Sequence, residues 1–159
     1  MELRNKVRGI ASDLDIARVT ILGVADQPGI AAKIFDPLAD NGISVDVIVQ
    51  NASENNLTDL SFTIAEADLE RALETVNSVG KQINARGIVS YSDLAKVTIF
   101  VTGMQNSPGY ASRMFQCLYE SKGYIEMITS SEIRITCIIS KNEVAVAVAA
   151  LHAAFELDS

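Results

Sequence analysis

The residues best suited to chemistry lie in one turn between a predicted strand and a predicted helix, Asp26-Gln27-Pro28-Gly29-Ile30-Ala31. The backbone amides of Gly29, Ile30 and Ala31 are expected to lack intrahelical acceptors, and the helix dipole adds partial positive charge at the same place. A small carboxylate is therefore well accommodated there. Asp26 is able to face an ammonium group. Amide donors beside a carboxylate suit a free amino acid.

The same turn also has a simpler interpretation, in which Asp26 caps the helix and Pro28 lies in its first turn. Gln50-Asn51 ends the second predicted strand, and its amide groups are suited to fix the polar ends of an amino acid if the sheet order brings them beside the turn. Polar residues at a strand end also begin ordinary hairpin loops, so both interpretations stay open. Ser130-Ser131 occupies the matching place later in the chain, so two such sites are not expected to be equivalent.

Other chemistry has little support in the sequence. His152 has no Cys or His at ligand spacing, so we expect no metal site. Cys117 and Cys137 are isolated among apolar residues, which indicates buried thiols in a reducing compartment, the cytoplasm, rather than a disulfide. We interpret four acidic residues as solvated faces and helix caps: Asp59, Glu66, Glu132 and Glu143. No catalytic residues are predicted.

Charge and composition exclude several classes of partner. The 159 residues include 13 Lys and Arg against 20 Asp and Glu, a net charge of -7, which disfavours nucleic acid and anionic lipid. Although 48% of the residues are hydrophobic, no segment approaches the roughly 18 uninterrupted apolar residues that a membrane span needs. We expect a globular protein, with neither nucleic acid nor membrane as a partner.

The chain contains two copies of one pattern, about eighty residues apart. Short motifs of the first copy return in the second: Arg8-Gly9-Ile10 as Arg86-Gly87-Ile88, Ala17-Arg18-Val19-Thr20-Ile21 as Ala95-Lys96-Val97-Thr98-Ile99, and Asp26-Gln27-Pro28-Gly29 as Asn106-Ser107-Pro108-Gly109. A repeat of this length indicates two structural units of roughly 75 residues each.

Hydrophobic periodicity predicts the order βαββαβ for the first copy. Its strands are predicted at Val19–Val24, Val45–Gln50, Leu57–Ile64 and Gly87–Tyr91, and its helices at Gly29–Asp40 and Ala67–Ile83. We expect a kink or a loosened last turn at Pro37. The second copy has predicted strands at Val97–Val101, Ile125–Ser130 and Ile133–Ile139, with helices at Tyr110–Lys122 and Glu143–Leu157.

The second copy ends one strand short of the first. Val7–Ala11 precedes the first copy and matches its closing strand, so we expect this segment to complete the second sheet. The predicted fold class is α+β, with two ferredoxin-like two-layer units and the first inserted in the second. The predicted domains are residues 17–93, and residues 1–16 together with 94–159.

A combination of segments resembles the regulatory region of aspartate kinase, a tandem pair of ACT domains, over nearly the whole chain. The segments are Val19 to Phe35, Asp46-Val47-Ile48-Val49-Gln50-Asn51, Thr58 to Thr63, Ile128 to Ile135 and Ala150 to Leu157. The resemblance implies a β-type regulatory subunit, or a C-terminal fragment, of an enzyme that phosphorylates aspartate with ATP. The chain itself then lacks the catalytic domain.

The resemblance also implies how the region works. It forms a homodimer through its ACT domains, associates with a catalytic subunit or domain, uses no cofactor, and binds L-threonine, L-lysine or both as feedback inhibitors. The residues implied for the main effector site are Asp26, Gly29, Ile30, Ala31 and Gln50, with Tyr124 and Ile125 reaching in from the partner's second domain. Those implied for a second site are Ser107, Gly109, Tyr110, Ala111, Ser131 and Glu132.

Three residues depart from the family pattern. Tyr124 stands where an Asn is usual, Tyr110 replaces a small aliphatic residue, and Ala111 lacks a hydroxyl that some lysine-sensing members have. Tyr110 and Ala111 belong to the second site, so we expect the first site to be the functional one.

Two alternative functions stay open. One is the regulatory subunit of a branched-chain acetolactate synthase, which would respond to valine. The other is a dimerisation module that binds no effector.

Overall fold

The computed structural model describes residues 7–51, 53–102 and 109–155, which form six strands and four helices. None of these helices is long and apolar enough to cross a membrane. The strands are β1 (Val7–Ala25), β2 (Ile48–Gln50), β3 (Leu57–Ala65), β4 (Gly87–Val101), β5 (Met127–Ser130) and β6 (Arg134–Ser140). The helices are α1 (Ile30–Asp40), α2 (Leu69–Gln82), α3 (Tyr110–Glu120) and α4 (Val144–Ala154).

The chain divides into two compact units. The first unit is residues 15–92, and the second comprises residues 7–14 together with 93–102 and 109–155. The chain passes from one unit to the other at Asp15 and Asp93, which have φ values of 62° and 58°. This left-handed conformation is uncommon outside glycine but is tolerated by Asp.

β1 and β4 are longer than the sequence predicts. Val7–Ala11 and Val19–Val24 were expected as separate strands, but the residues between them, which include Ser12, Asp13 and Asp15, also belong to β1 despite the left-handed φ of Asp15. The prediction was wrong because side-chain polarity does not prevent backbone hydrogen bonds within a sheet. β4 likewise joins the strands predicted at Gly87–Tyr91 and Val97–Val101.

In the first unit the strand order is β2-β3-β1-β4, and β3 pairs antiparallel with both of its neighbours. The buried residues of these strands and of α1 and α2 form one apolar core, which includes Ile34, Leu38, Phe62 and Val76. Phe62 also contacts Phe35 edge to face, with ring centroids 5.4 Å apart. Two helices on an antiparallel sheet confirm the predicted α+β, ferredoxin-like class.

The second unit has the matching order β1-β4-β6-β5. Its core includes Val7, Ile99, Met114 and Phe155, so the start of β1 packs with residues near the end of the chain. Val7 is only 4% exposed. The N-terminal part of β1 therefore supplies the fourth strand of the second unit, and the first unit is inserted in the second.

β2 and α1 differ in detail from the prediction. β2 begins at Ile48 rather than Val45, because the backbone just before it is irregular and the Val47 amide donates to the side-chain oxygen Oγ1 of Thr63 at 3.0 Å. α1 includes Pro37 and ends at Asp40. The carbonyl of Pro37 still accepts a hydrogen bond from the Asn41 amide at 3.1 Å.

The insertion of the first unit makes Val7 a core residue of the second. We expect Val7→Ala to reduce the free energy of unfolding by about 2 kcal/mol, because it removes buried methyl groups and leaves a cavity. Val89→Ala is the control, since Val89 is 40% exposed on β4. Urea unfolding measures both. Equal, small losses in the two variants would contradict the assignment of Val7 to a core.

Gly23 lies at an irregularity in the pairing of β1 with β3, between Ile21 and Val24. Its φ is +64°, and an added Cβ would lie 2.8 Å from the Cβ of Arg86. We expect Gly23→Ala to cost about 2 kcal/mol or more of stability, through backbone strain and steric overlap. Gly9→Ala is the matched control, because its Cβ would meet nothing within 4 Å. Thermal melting with unchanged midpoints in both variants would refute the expectation.

Candidate functional site

The N-terminus of α1 has no side-chain cap. Gly29 is the N-cap residue, with φ at 86°, and no side chain hydrogen-bonds to the cap. The Ile30 amide donates to the Gln27 carbonyl at 3.3 Å, and the Lys33 amide donates to the Gly29 carbonyl at 3.2 Å. Among the described residues, the Ala31 amide has no backbone acceptor. The alternative in which Asp26 caps the helix is therefore not what the structure adopts.

The surroundings of Gly29 are open. A Cβ placed on Gly29 would meet no atom within 4 Å, and Asp26 and Ala31 are exposed. No acidic residue lies in the first turn of α1, so the partial positive charge of the helix N-terminus is not offset there. Ile30 is 5% exposed and belongs to the core, so its side chain is not available to a ligand, and its amide already donates the 3.3 Å hydrogen bond to Gln27.

Two hydrogen bonds donated by backbone amides fix the approach to α1. The amide of Gly23 donates to Oδ1 of Asp59 at 2.9 Å, and the Asp26 amide donates to the Asn56 carbonyl at 2.8 Å. Asp59 was interpreted from sequence as a solvated or capping residue. That interpretation was wrong, because its carboxylate accepts a hydrogen bond from the irregular turn of β1.

Gln50 lies on the helix-covered face of the first unit, at the edge of the sheet. In the register of the strands, Gln50 opposes Leu60, and Leu60 opposes Ile21. Directly opposed residues of antiparallel strands point to the same face, and Leu60 and Ile21 are core residues beneath the helices. Because β2 is an edge strand, the side chain of Gln50 remains exposed.

The end of β2 and the end of β1 lie at the same end of this sheet. Thr58, which opposes Val24, donates from its buried hydroxyl to the Asn51 carbonyl at 2.6 Å. Sequence reasoning missed Thr58 because a hydroxyl in a strand gives no signal of its partner. The sheet order therefore satisfies the condition for Gln50 to serve the same site as the N-terminus of α1.

Tyr124 and Ile125 belong to the second unit. Tyr124 is 71% exposed, and its amide donates to Oε2 of Glu143 at 3.2 Å. Ile125 is partly buried against the core of that unit. Glu143, which we had interpreted as a solvated residue or cap, thus holds the backbone that presents Tyr124.

The N-terminus of α3 repeats the geometry of α1 with a different side chain. Gly109 is the N-cap residue, with φ at 108° and no side-chain cap. Tyr110 is 1% exposed and lies in the core, in the place that Ile30 occupies in the first unit. Ala111 is partly buried against the same core, and Ser107 lies outside the described residues.

The strand end beside α3 is also different. Ser130 opposes Ile135 as Gln50 opposes Leu60, so a short hydroxyl replaces a long amide. Ser131 uses its hydroxyl to accept a hydrogen bond from the Ile133 amide at 3.3 Å, within a turn that also contains the exposed Glu132. The second unit therefore offers fewer free polar side chains than the first.

The thiols are not activated. Burial raises the pKa of Cys137 to about 12. Burial also raises the pKa of Cys117, with a smaller opposing effect from Arg113 and a small further rise from Glu120. Both thiols are therefore neutral at physiological pH. No group of three or more potential metal-ligating side chains occurs among the residues that the structure describes.

Comparison with known proteins identifies the units. The ACT domain family profile matches residues 19–79 and 97–155. The aspartate kinase of Pseudomonas fluorescens (strain SBW25) is 42% identical over 153 residues, which are 96% of this chain and 37% of that protein. The aspartokinase of Thermus thermophilus is 39% identical over an alignment of 160 positions, which covers 99% of this chain and 39% of that protein. The chain thus spans about two fifths of the length of these curated relatives.

Solved structures of similar length match as well. The ligand-free regulatory subunit of aspartate kinase from Thermus thermophilus has a TM-score of 0.86 and 38% identity, with 94% of this chain and 99% of that chain covered. A chain of the crystal structure of aspartokinase alpha and beta subunits also has a TM-score of 0.86, with 36% identity and coverage of 95% and 99%. These similarities and the paired ACT folds place the chain in one family: it belongs to the aspartate kinase regulatory regions with tandem ACT domains.

Proposed function

We propose that the chain is the allosteric, amino-acid-binding regulatory part of an aspartate kinase, and that it mediates feedback inhibition by threonine, lysine or both. The observation that supports this best is the uncapped N-terminus of α1 beside an open space. In the proposed complex the amides of Gly29 to Ala31 hold the effector's carboxylate. Asp26 lies near its ammonium group, and Gln50 contacts its side chain.

We further propose that the site is completed in a homodimer. β2 is an edge strand of the first unit, and Ile48 on it is 50% exposed. An edge strand with an exposed apolar side chain is suited to contact a second chain. Tyr124 and Ile125 of a second copy are the residues proposed to reach the effector. The effector inhibits because it binds one arrangement of the dimer more tightly than the other, since equal affinity for both would shift nothing.

A thermal-shift screen tests the choice of effector. Threonine, lysine, methionine, isoleucine and valine are added separately to the chain. An effector at about one hundred times its Kd stabilises the folded state by roughly 2.7 kcal/mol, so its Tm shift is readily measured. We expect threonine or lysine to give the largest shift. A response to valine alone would favour the acetolactate synthase alternative, and no response to any of them would favour the module without an effector.

Gly29 tests the position of the carboxylate. We expect Gly29→Asp to weaken effector binding at least tenfold by calorimetry, because it places negative charge where the carboxylate docks. Gly29→Asn is the matched control, since Asn has nearly the same size and also tolerates a positive φ. Equal affinities of the two variants would show that backbone conformation, and not charge, matters at this position. Wild-type affinity in Gly29→Asp would refute the site.

A further inference from the structure

The outward face of α4 has no charged side chain. The helix sequence is Val-Ala-Val-Ala-Val-Ala-Ala-Leu-His-Ala-Ala, and only Ala147 and Leu151 are buried within it. Val146 is 58% exposed, and Ala145, Ala149 and Ala153 are also exposed. A helix on a protein surface normally has a polar outer face, and a helix that is apolar all round is normally buried.

The equivalent helix of the first unit provides a comparison within the same chain. α2 and α4 each follow a short 3-10 turn, Glu66–Asp68 and Lys141–Glu143 respectively, so their residues correspond one to one. α2 has a polar exposed face, formed by Glu70, Arg71, Glu74, Asn77, Ser78 and Lys81. The fold therefore does not require an apolar outer face at this position, and the feature is specific to α4.

The groove beside the helix differs in the same way. In the first unit, Nη1 of Arg71 donates to the Asn41 carbonyl at 2.8 Å, and Nδ2 of Asn41 donates to Oγ1 of Thr75 at 3.0 Å. These hydrogen bonds join α2 to the end of α1. Val146 and Ala150 replace Arg71 and Thr75 in the second unit, so the same bonds are not possible there.

A groove remains between α3 and α4 as a result. Its volume is about 370 Å³, and its lining includes Arg113, Cys117, Glu120, Ser121, Ala150 and Ala153. The Ser121 hydroxyl, in the place of Asn41, donates to carbonyls of its own helix at 3.0 and 3.1 Å. The floor and the α4 side are apolar, while Arg113 and Glu120 lie on the α3 side. This surface, which we call the α4 groove, suits an apolar segment with charged groups along one margin.

We propose that the α4 groove docks a helix of the catalytic portion of aspartate kinase. This inference depends on the proposed function, in which the chain regulates such a catalytic portion. The chain covers 37% of the Pseudomonas fluorescens relative and 27% of a Synechocystis aspartate kinase structure with a TM-score of 0.91, so most of each of those proteins lies outside the matched region. A helix face without charge is normally covered, and we assign that remainder as its cover.

The chemistry of the partner segment follows from the groove. α4 has 11 residues, so its exposed face is about 16 Å long and accommodates three turns of a partner helix. The small side chains of Ala150 and Ala153 allow the two helices to approach closely. The partner helix has an apolar stripe, an acidic group opposite Arg113 and a basic group opposite Glu120.

Ala153→Arg and Ser78→Arg form a matched pair for the test, because both positions are exposed and occupy the same place in the two units. In the complete aspartate kinase, we expect Ala153→Arg to raise the concentration of threonine plus lysine needed for half inhibition at least tenfold. We expect Ser78→Arg to leave it unchanged. Val146→Gln is a second, milder substitution on the same face and is expected to act in the same direction.

Measurements on the 159-residue chain alone separate this inference from the proposed function. We expect both arginine variants to retain the wild-type Tm and the wild-type thermal shift with threonine or lysine. If the wild-type chain shows no thermal shift with threonine or lysine, the proposed function is overturned. An unchanged half-inhibition concentration in both Ala153→Arg and Val146→Gln, with the thermal shift intact, would overturn only the docking proposal. A change of the isolated chain from dimer to monomer in Ala153→Arg would also overturn it, because the occupant would then be a second copy.

Discussion

Each unit needs four strands to offer its two helices a complete apolar face, and the chain meets this need with strands that serve both units. β1 supplies the fourth strand of the second unit and then a central strand of the first, while β4 closes the first and becomes a central strand of the second. Units of this size bury little surface alone. Loss of either long strand therefore removes part of two cores. The positions of the N-termini of α1 and α3 depend on these shared strands.

The repeat made most of the fold predictable, because apolar residues recur with periods of two and 3.6 in both copies. The insertion was predictable for a simpler reason. The second copy has three predicted strands where the first has four, and Val7–Ala11 matches the fourth strand of the first copy. The continuity of β1 through its polar middle was not predictable. Backbone pairing stabilises that segment, and backbone pairing has no signature in the side chains.

The candidate site was predictable to a different degree. Gly29 and the exposed amides follow from the turn sequence, but the absence of a cap at α1 depends on where Asp26 points. Thr58 and Asp59 hold the surrounding backbone through single hydrogen bonds that sequence does not reveal. The two units also differ at the N-terminus of the first helix and on the outer face of the second helix. The first keeps polar side chains near its helix N-terminus and a polar outer helix, whereas the second has Tyr110 in its core and an outer helix without charge.

The insertion has a consequence for how the protein folds. The second unit brings together residues 7–14 and residues from 93 onward, so closing its sheet while the 78 residues between them (15–92) are unfolded costs loop-closure entropy. The first unit is contiguous in sequence and pays no such loop-closure entropy. We expect it to fold first, during synthesis or refolding, and to shorten the distance that the second unit's ends must span. The start of β1 thus precedes the whole first unit in the sequence but is among the last segments to reach its native partners.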